Sequence, residues 1–202
     1  MRTRLLLLLL VALTLLGLLA PALARTEPGS SDRIIALSKA AIALVRRDDL
    51  QGAVRTLEEA LFAARQRAPL EVRRAVLVQT PHTGLGLYEP ATGGLVRGRL
   101  LRLYVEVANH GHRALTPDAS GERHQVDLSV TGTFLFEGEP IGARSLGQHS
   151  FTTRSPSGVT SFGLEARLSD KAPAGKYEVV LTVRDATTNR EASSRVQFNL
   201  QD

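Results

Sequence analysis

The chain is predicted to be mainly β, an antiparallel β-sandwich preceded by an α-helical hairpin. Three observations carry this expectation. Between about residues 32 and 69, apolar residues recur at three- and four-residue steps, the period of a one-sided helix. From about Arg73 the period changes to two, in stretches such as Leu100–Asn109 and Lys176–Asp185. Turn clusters punctuate those stretches: Thr92-Gly93-Gly94, Thr116-Pro117-Asp118, Gly138-Glu139-Pro140 and Ser155-Pro156-Ser157-Gly158.

The elements follow in order. Arg2 and Arg4 precede the leucine-rich run Leu5–Leu19, and Pro21-Ala22-Leu23-Ala24 supplies a small-x-small cleavage pattern. The expectation is a cleavable secretory signal over residues 1–24, with the mature chain starting at Arg25. A retained single-span anchor is the alternative; the apolar run is short for a span and no basic stop-transfer cluster follows. Residues 25–31 read as a flexible spacer. In the first helix, Ile34, Leu37, Ala41 and Val45 share a face. Asp48 or Asp49 is placed to cap the second, and Asp48 with Gln51 has capping-box spacing. The second helix carries Leu50, Val54, Leu57, Leu61 and Ala64 as its stripe and closes before Pro69. Two short helices with one stripe each bury little alone, so Leu50, Val54, Leu57 and Leu61 are expected to pack against the sandwich, a second copy or a partner; the short Arg65–Arg74 connection favours the sandwich, which makes Leu57 and Leu61 structural.

The hairpin, residues 32–69, resembles a single tetratricopeptide unit. Leu37, Ala40, Ala41 and Leu44 stand at first-helix packing positions, and Ala53, Leu57 and Ala60 give the small–large–small pattern of the second. Only one copy is present, whereas stacked repeats normally bury a core across about three.

Eight strands are expected over residues 70–202, in Ala75–Gln79, Leu100–Asn109, Gln125–Val130, Thr133–Gly138, Gln148–Arg154, Ser161–Leu168, Lys176–Asp185 and Ser194–Leu200. In the second, Leu101, Leu103, Val105 and Val107 should face inward, with Arg102, Tyr104, Glu106 and Ala108 wet. Gly175 ends a loop that delivers Tyr177 to the start of a strand, the layout of a tyrosine corner. On those residues the region resembles the immunoglobulin-like domains of bacterial exported proteins. Gly86-Leu87-Tyr88-Glu89-Pro90 followed by Leu100–Gly111 resembles a segment of uncharacterised bacterial secreted proteins. The resemblance implies an immunoglobulin-like fold and no particular activity.

Composition narrows the function classes. Cysteine is absent, which excludes disulfides, thiolate metal sites and cysteine nucleophiles. The formal charge of +5 falls to about +3 without Arg2 and Arg4, and arginine outnumbers lysine 22 to 3. The arginines are scattered and aromatic residues are few, so nucleic-acid binding is not expected.

One constellation has the residue types for metal chemistry: His110 and His112 around Gly111, with His124, Asp118 and Glu122 downstream. In an extended strand, residues i and i+2 share a face, so two imidazoles and a third reach one zinc or copper ion. The competing reading is a polar strand-to-strand loop. Neither a Gly-x-Ser-x-Gly elbow nor a P-loop is present, and Gly84–Gly94 reads as a loop leading into the long strand. Glu106, Asp127, Glu137 and Glu178 read as solvent-facing strand residues. Tyr88 and Tyr104 offer only a thin sugar-stacking platform without tryptophan.

The functional expectation is an exported, non-enzymatic binding or assembly module of the bacterial envelope, in the periplasm or outside the cell. It needs no cofactor, has no transmembrane span after signal cleavage, and contacts another envelope or secreted protein through sandwich edges, loops or the hairpin. The alternative is a metal-dependent or hydrolytic enzyme built on His110, His112 and His124.

Overall fold

The computed structural model describes residues 30–118, 121–154 and 158–202. The signal segment and most of the spacer lie outside the described residues, as does most of the Ser155–Gly158 turn. The chain divides into two compact units, up to Leu57 and from Glu58 to Asp202.

The first unit contains helix α1, Ser30–Arg46, and the beginning of α2, Leu50–Arg65. The chain reverses between them through Arg47, Asp48 and Asp49. Asp49 N–H bonds to Leu44 O and Asp48 N–H to Val45 O, both at 3.0 Å, the paired bonds of a Schellman ending. Asp48 takes the left-handed position, φ 62°, that such an ending requires. It therefore caps nothing. Asp49 caps α2 instead, its carboxylate accepting the Gly52 N–H at 2.9 Å.

The enclosed side of the helices is made of small residues. Ala41 and Ala53 are buried, Gly52 is buried, and Leu37, Leu44 and Thr56 are half-buried. Leu50, Val54, Leu57 and Leu61 are 58, 55, 50 and 49% exposed. Gly52 lies under its own capping residue, where a Cβ would meet Asp49 Oδ2 at 2.4 Å.

Among the described residues the second unit carries nine strands: β1 (Glu71–Leu77), β2 (Leu95–Val96), β3 (Leu100–Ala108), β4 (Arg113–Asp118), β5 (Gly121–Phe136), β6 (Glu139–Thr153), β7 (Val159–Arg167), β8 (Gly175–Asp185) and β9 (Glu191–Gln201). One sheet has the order β1-β3-β7, all antiparallel. The other runs β2-β9-β8-β5-β4, with β6 also paired to β5. Its pairings are antiparallel except β2 with β9. The two strands expected at Gln125–Val130 and Thr133–Gly138 are one, β5, continuous through Thr131 and Gly132. It turns into β6 at Glu137 and Gly138, both at positive φ as a two-residue hairpin of primed type demands.

Both sheets contribute to a single core. Leu101, Leu103, Val105 and Val107 of β3 are essentially inaccessible, as are Val179, Leu181 and Val183 of β8 and Val126, Leu128 and Val130 of β5. The alternate face of β3 departs from expectation. Tyr104 and Ala108 are fully buried rather than wet. The segment between β1 and β2 folds back over Tyr104: Tyr88 stacks on its ring at 4.3 Å, His82 meets its edge at 5.7 Å, and Gly86 N–H donates to its hydroxyl at 2.9 Å.

Tyr177 lies at the start of β8, buried between Phe136 and Phe198 at ring separations of 5.0 and 5.6 Å. Its hydroxyl donates to Pro173 O at 2.9 Å, tying the preceding loop to the strand. Gly175 holds that loop's exit at φ 149°, where a Cβ would meet Glu137 Oε1 at 2.7 Å. Burial pushes the Tyr177 hydroxyl pKa up, so it stays a donor. Tyr177→Phe is expected to lower stability by about 1–3 kcal/mol, read as a lower denaturant midpoint, because Pro173 O loses its partner. An unchanged midpoint would show that the bond contributes nothing.

Candidate functional site

Two places gather chemistry, one in each unit. In the β unit, β3 ends at Ala108, and Asn109 turns the chain with φ 61°. The strand has therefore stopped before His110, and the shared-face argument for His110 and His112 no longer applies. His110 is fully buried, with both ring nitrogens enclosed and without a hydrogen-bond partner. Its ring lies 4.8 Å from that of His112, which lies 6.2 Å from that of His124 and 5.5 Å from Phe62 of α2. The first pair of rings is tilted and the second edge-on. Among the described residues no group of three or more His, Asp or Glu could hold a metal ion. Burial, then the neighbouring His112, lowers the His110 pKa from 6.5 to about 4.

What the loop does instead is close a polar knot that sequence reasoning missed. The Asp185 carboxylate, wholly buried at the end of β8, accepts Gly111 N–H at 2.6 Å, Thr187 N–H at 2.9 Å and Thr188 Oγ1–H at 2.5 Å. Arg190 faces it at 3.8 Å. That guanidinium also donates to Thr188 Oγ1 at 2.8 Å, to Asn109 O at 2.7 Å, and to Gln66 O and Ala68 O. The last two carbonyls lie just past the C-terminus of α2, where helix carbonyls lack partners and a cation is favoured. Gly111 is required here, since a Cβ would come within 2.5 Å of Thr188 Cγ2.

Beside the knot, a cavity of about 290 Å³ is lined by His82, His110, Val126, Phe151 and Thr153 among others, none of its lining residues a carboxylate. Of the carboxylates read as strand-surface residues, Glu178 and Asp127 make cross-strand pairs. Arg195 Nη1 donates to Glu178 at 2.6 Å, and Asp127 accepts from Ser150 at 2.6 Å. The Ser150 bond is the main reason that the Asp127 pKa is lowered. Glu137 accepts the Lys176 N–H at 2.8 Å, and Glu106 accepts from the Tyr104 hydroxyl at 3.1 Å. Tyr104 is thus sealed from any ligand, and Tyr88 covers it.

In the helical unit, the open side is apolar. Ile35, Ile42 and Val45 of α1 are 51, 54 and 51% exposed. With Leu50, Val54 and Leu57 they repeat at the alternating three- and four-residue spacing of a helix-packing seam, one position being taken by Ser38. Taken from its enclosed side, each stripe is rotated by roughly 110–120° in the same sense about its own helix axis, at 100° per residue. The Ser38 hydroxyl is bonded back to Ile34 O at 2.9 Å, which removes its demand for water. Among the described residues no helix is long and apolar enough to cross a membrane.

No protein-family model matches the chain, and no curated protein matches it. Among solved structures, the chain is similar to a family 123 glycoside hydrolase from Clostridium perfringens, at 12% identity and a TM-score of 0.39 over 67% of this chain and 28% of that one. It thus spans little more than a quarter of the hydrolase. It is also similar to the superoxide reductase neelaredoxin from Ignicoccus hospitalis, at 14% identity and a TM-score of 0.28 over 62% of this chain and 83% of that one.

Proposed function

We propose that this chain is an exported, non-enzymatic binding module of the bacterial envelope, an immunoglobulin-like sandwich that carries a helical hairpin as its contact surface. The observation that carries the reading is the open apolar side of α1 and α2. Six large aliphatic side chains, Ile35, Ile42, Val45, Leu50, Val54 and Leu57, each leave about half their surface to water. Contiguous apolar surface of this kind marks an interaction site. A single tetratricopeptide-like unit leaves uncovered what a following repeat would bury.

The sandwich reading is supported by strand order. The sheet β1-β3-β7 corresponds to strands A, B and E of an immunoglobulin domain, and β9-β8-β5-β6 to G, F, C and C′. The Tyr177–Pro173 bond adds the tyrosine corner at the same place in the order. Such a domain serves as a rigid carrier. The non-enzymatic reading is supported by the histidines: His110 is sealed in the core, and His149 is stacked on Phe162 at 4.3 Å.

The test is a photo-crosslinking side chain placed at Leu57 in the exported protein, with a second variant carrying it at Arg55 on the polar side of α2. In native envelope extract, crosslinked species are expected from position 57 and not from position 55. Equal yields at the two positions, or none at either, would contradict the reading.

A further inference from the structure

We infer that the cavity beside His110 is a binding site for a small uncharged molecule with an apolar body and a hydroxyl group. The site lies wholly in the β unit and is independent of the helical surface. It is carried by the place of the cavity in the sandwich, by buried polar atoms that the protein leaves unpaired there, and by the absence of charge from its walls.

Among the described strands, β6 pairs only with β5 and β7 only with β3, so the two sheets meet at this edge without a shared ladder. The cavity occupies that seam. Phe151 and Thr153 of β6 line one side, and Thr160 and Ser161 of β7 the other. Val126 of β5 and His110 lie at its buried end, whereas Leu85, also lining it, is 55% exposed. The cavity thus reaches from solvent to the core. His82, from the segment that folds back over Tyr104, completes the wall, and Gly163 of β7 leaves room for its ring: a Cβ there would stand 3.0 Å from His82 Nδ1.

Two of the lining residues bring buried polar atoms that have no partner among the described residues: both ring nitrogens of His110, which is 1% exposed, and Thr153 Oγ1. Native interiors seldom leave such atoms unpaired, so an occupant is expected to answer them. Burial keeps the His110 imidazole neutral at pH 7, its pKa lowered to about 4, so one nitrogen donates and the other accepts. The edge of β7 adds a donor and an acceptor. Asn109 N–H bonds to Gly158 O at 2.9 Å, so by alternation Thr160 exchanges bonds with β3 and Ser161 turns its backbone groups outward. A hydroxyl group both donates and accepts, and suits each of these partners. The remaining surface is apolar, from Leu85, Val126 and Phe151. Water against such walls lacks the two to four polar partners that hold it. No Asp, Glu, Lys or Arg is among the described lining residues, so a charged ligand would lose its hydration without gaining a counter-charge. The volume of about 290 Å³ stands at the small end of ligand cavities and suits a molecule of one ring.

The experiment is an NMR titration of the exported chain at pH 7 with three probes of similar size: phenol, toluene and benzoate. Phenol is expected to bind and to shift the methyl signals of Val126 and Leu85. Toluene, which lacks the hydroxyl, should bind about tenfold more weakly, and benzoate more weakly than phenol as well. Thr153→Val keeps the side-chain shape and removes the hydroxyl; it should weaken phenol by about tenfold and leave toluene unchanged. His110→Phe, which removes both nitrogens, should act in the same direction and serves as the second variant. If none of the probes shifts Val126 and Leu85, the cavity holds water only and the inference is overturned. It is equally overturned if toluene or benzoate binds as tightly as phenol, or if both variants bind phenol as the native chain does. Shifts confined to Val54 and Leu57 would place the probes on the helices; that result excludes the cavity and leaves the proposed contact surface standing.

Discussion

Asp185→Ala is expected to lower the stability of the protein by about 3–5 kcal/mol, the cost of leaving a buried charge without its counterpart. The removed carboxylate has no exposed surface and three short hydrogen bonds, so water does not take its place readily. Arg190 keeps its carbonyl partners at Asn109, Gln66 and Ala68 but loses the only carboxylate near it among the described ion pairs. Gly111 N–H is left buried without an acceptor. Asp185→Asn retains one acceptor oxygen and should cost less than alanine. Chemical denaturation checks the order: native, then asparagine, then alanine. A midpoint for Asp185→Ala equal to that of the native chain would mean that the knot contributes no net stability.

The second large effect is a dependence on pH through His110. In the unfolded chain this imidazole takes up a proton near pH 6.5, whereas in the fold it does so only near pH 4. Below pH 6.5 the unfolded state therefore binds more protons, and stability falls as pH falls until about pH 4, by up to about 3 kcal/mol. Above pH 6.5 the group is neutral in both states and contributes no slope. The charged or titratable groups facing it are His112, Asp185 and Arg190; His112 and Arg190 lower the pKa and Asp185 raises it. Asp127 also loses its stabilisation on acidification, but its lowered pKa places that loss below the ordinary value of 3.8. Denaturant midpoints between pH 7 and pH 4 check the expectation. His110→Phe should make the slope shallower across that window, the remainder coming from His149, whose pKa burial also lowers, and an equally steep slope in the variant would assign the effect elsewhere.

Much of the fold is legible in the sequence because it follows from alternation. The phase that places Val179, Leu181 and Val183 inside also places Tyr177 there, and Tyr177 is buried. The same phase reaches Asp185, two residues beyond Val183, and is the available signal for the buried carboxylate. Arg190, its partner, follows in the next turn, but no spacing rule joins the pair to α2 and the Asn109 loop, which meet it only in space. Strand β5 reads as two in the sequence because Gly132 interrupts its pattern. In the fold, Gly132 is buried where a Cβ would meet the Leu146 side chain of β6 at 2.7 Å, so the glycine admits a neighbour and does not end the strand.

The helices show the opposite failure. Periodicity gives their extents to within a few residues, but not the side they bury. It weighs leucine over alanine and glycine, so the strongest stripe in α2 looks like the buried one. The residues that are buried, Ala41, Gly52 and Ala53, carry little hydropathic signal. Tyr104 departs from expectation for a related reason. Alternation says which face of β3 points away from the sheet-to-sheet core, but not that a loop with His82, Gly86 and Tyr88 returns to cover that face.

The central claim is that the apolar side of α1 and α2 is a contact surface, open in the isolated chain and covered when the protein is at work. Because the native chain has no cysteine, Leu57→Cys and Arg55→Cys each introduce a single thiol, one on the apolar side and one on the polar side of the same helix. Their rates of maleimide modification should be similar for dilute purified protein. In the intact envelope, the thiol at position 57 should be strongly protected while the one at position 55 reacts as before; equal reactivity of the two thiols in the envelope would contradict the account.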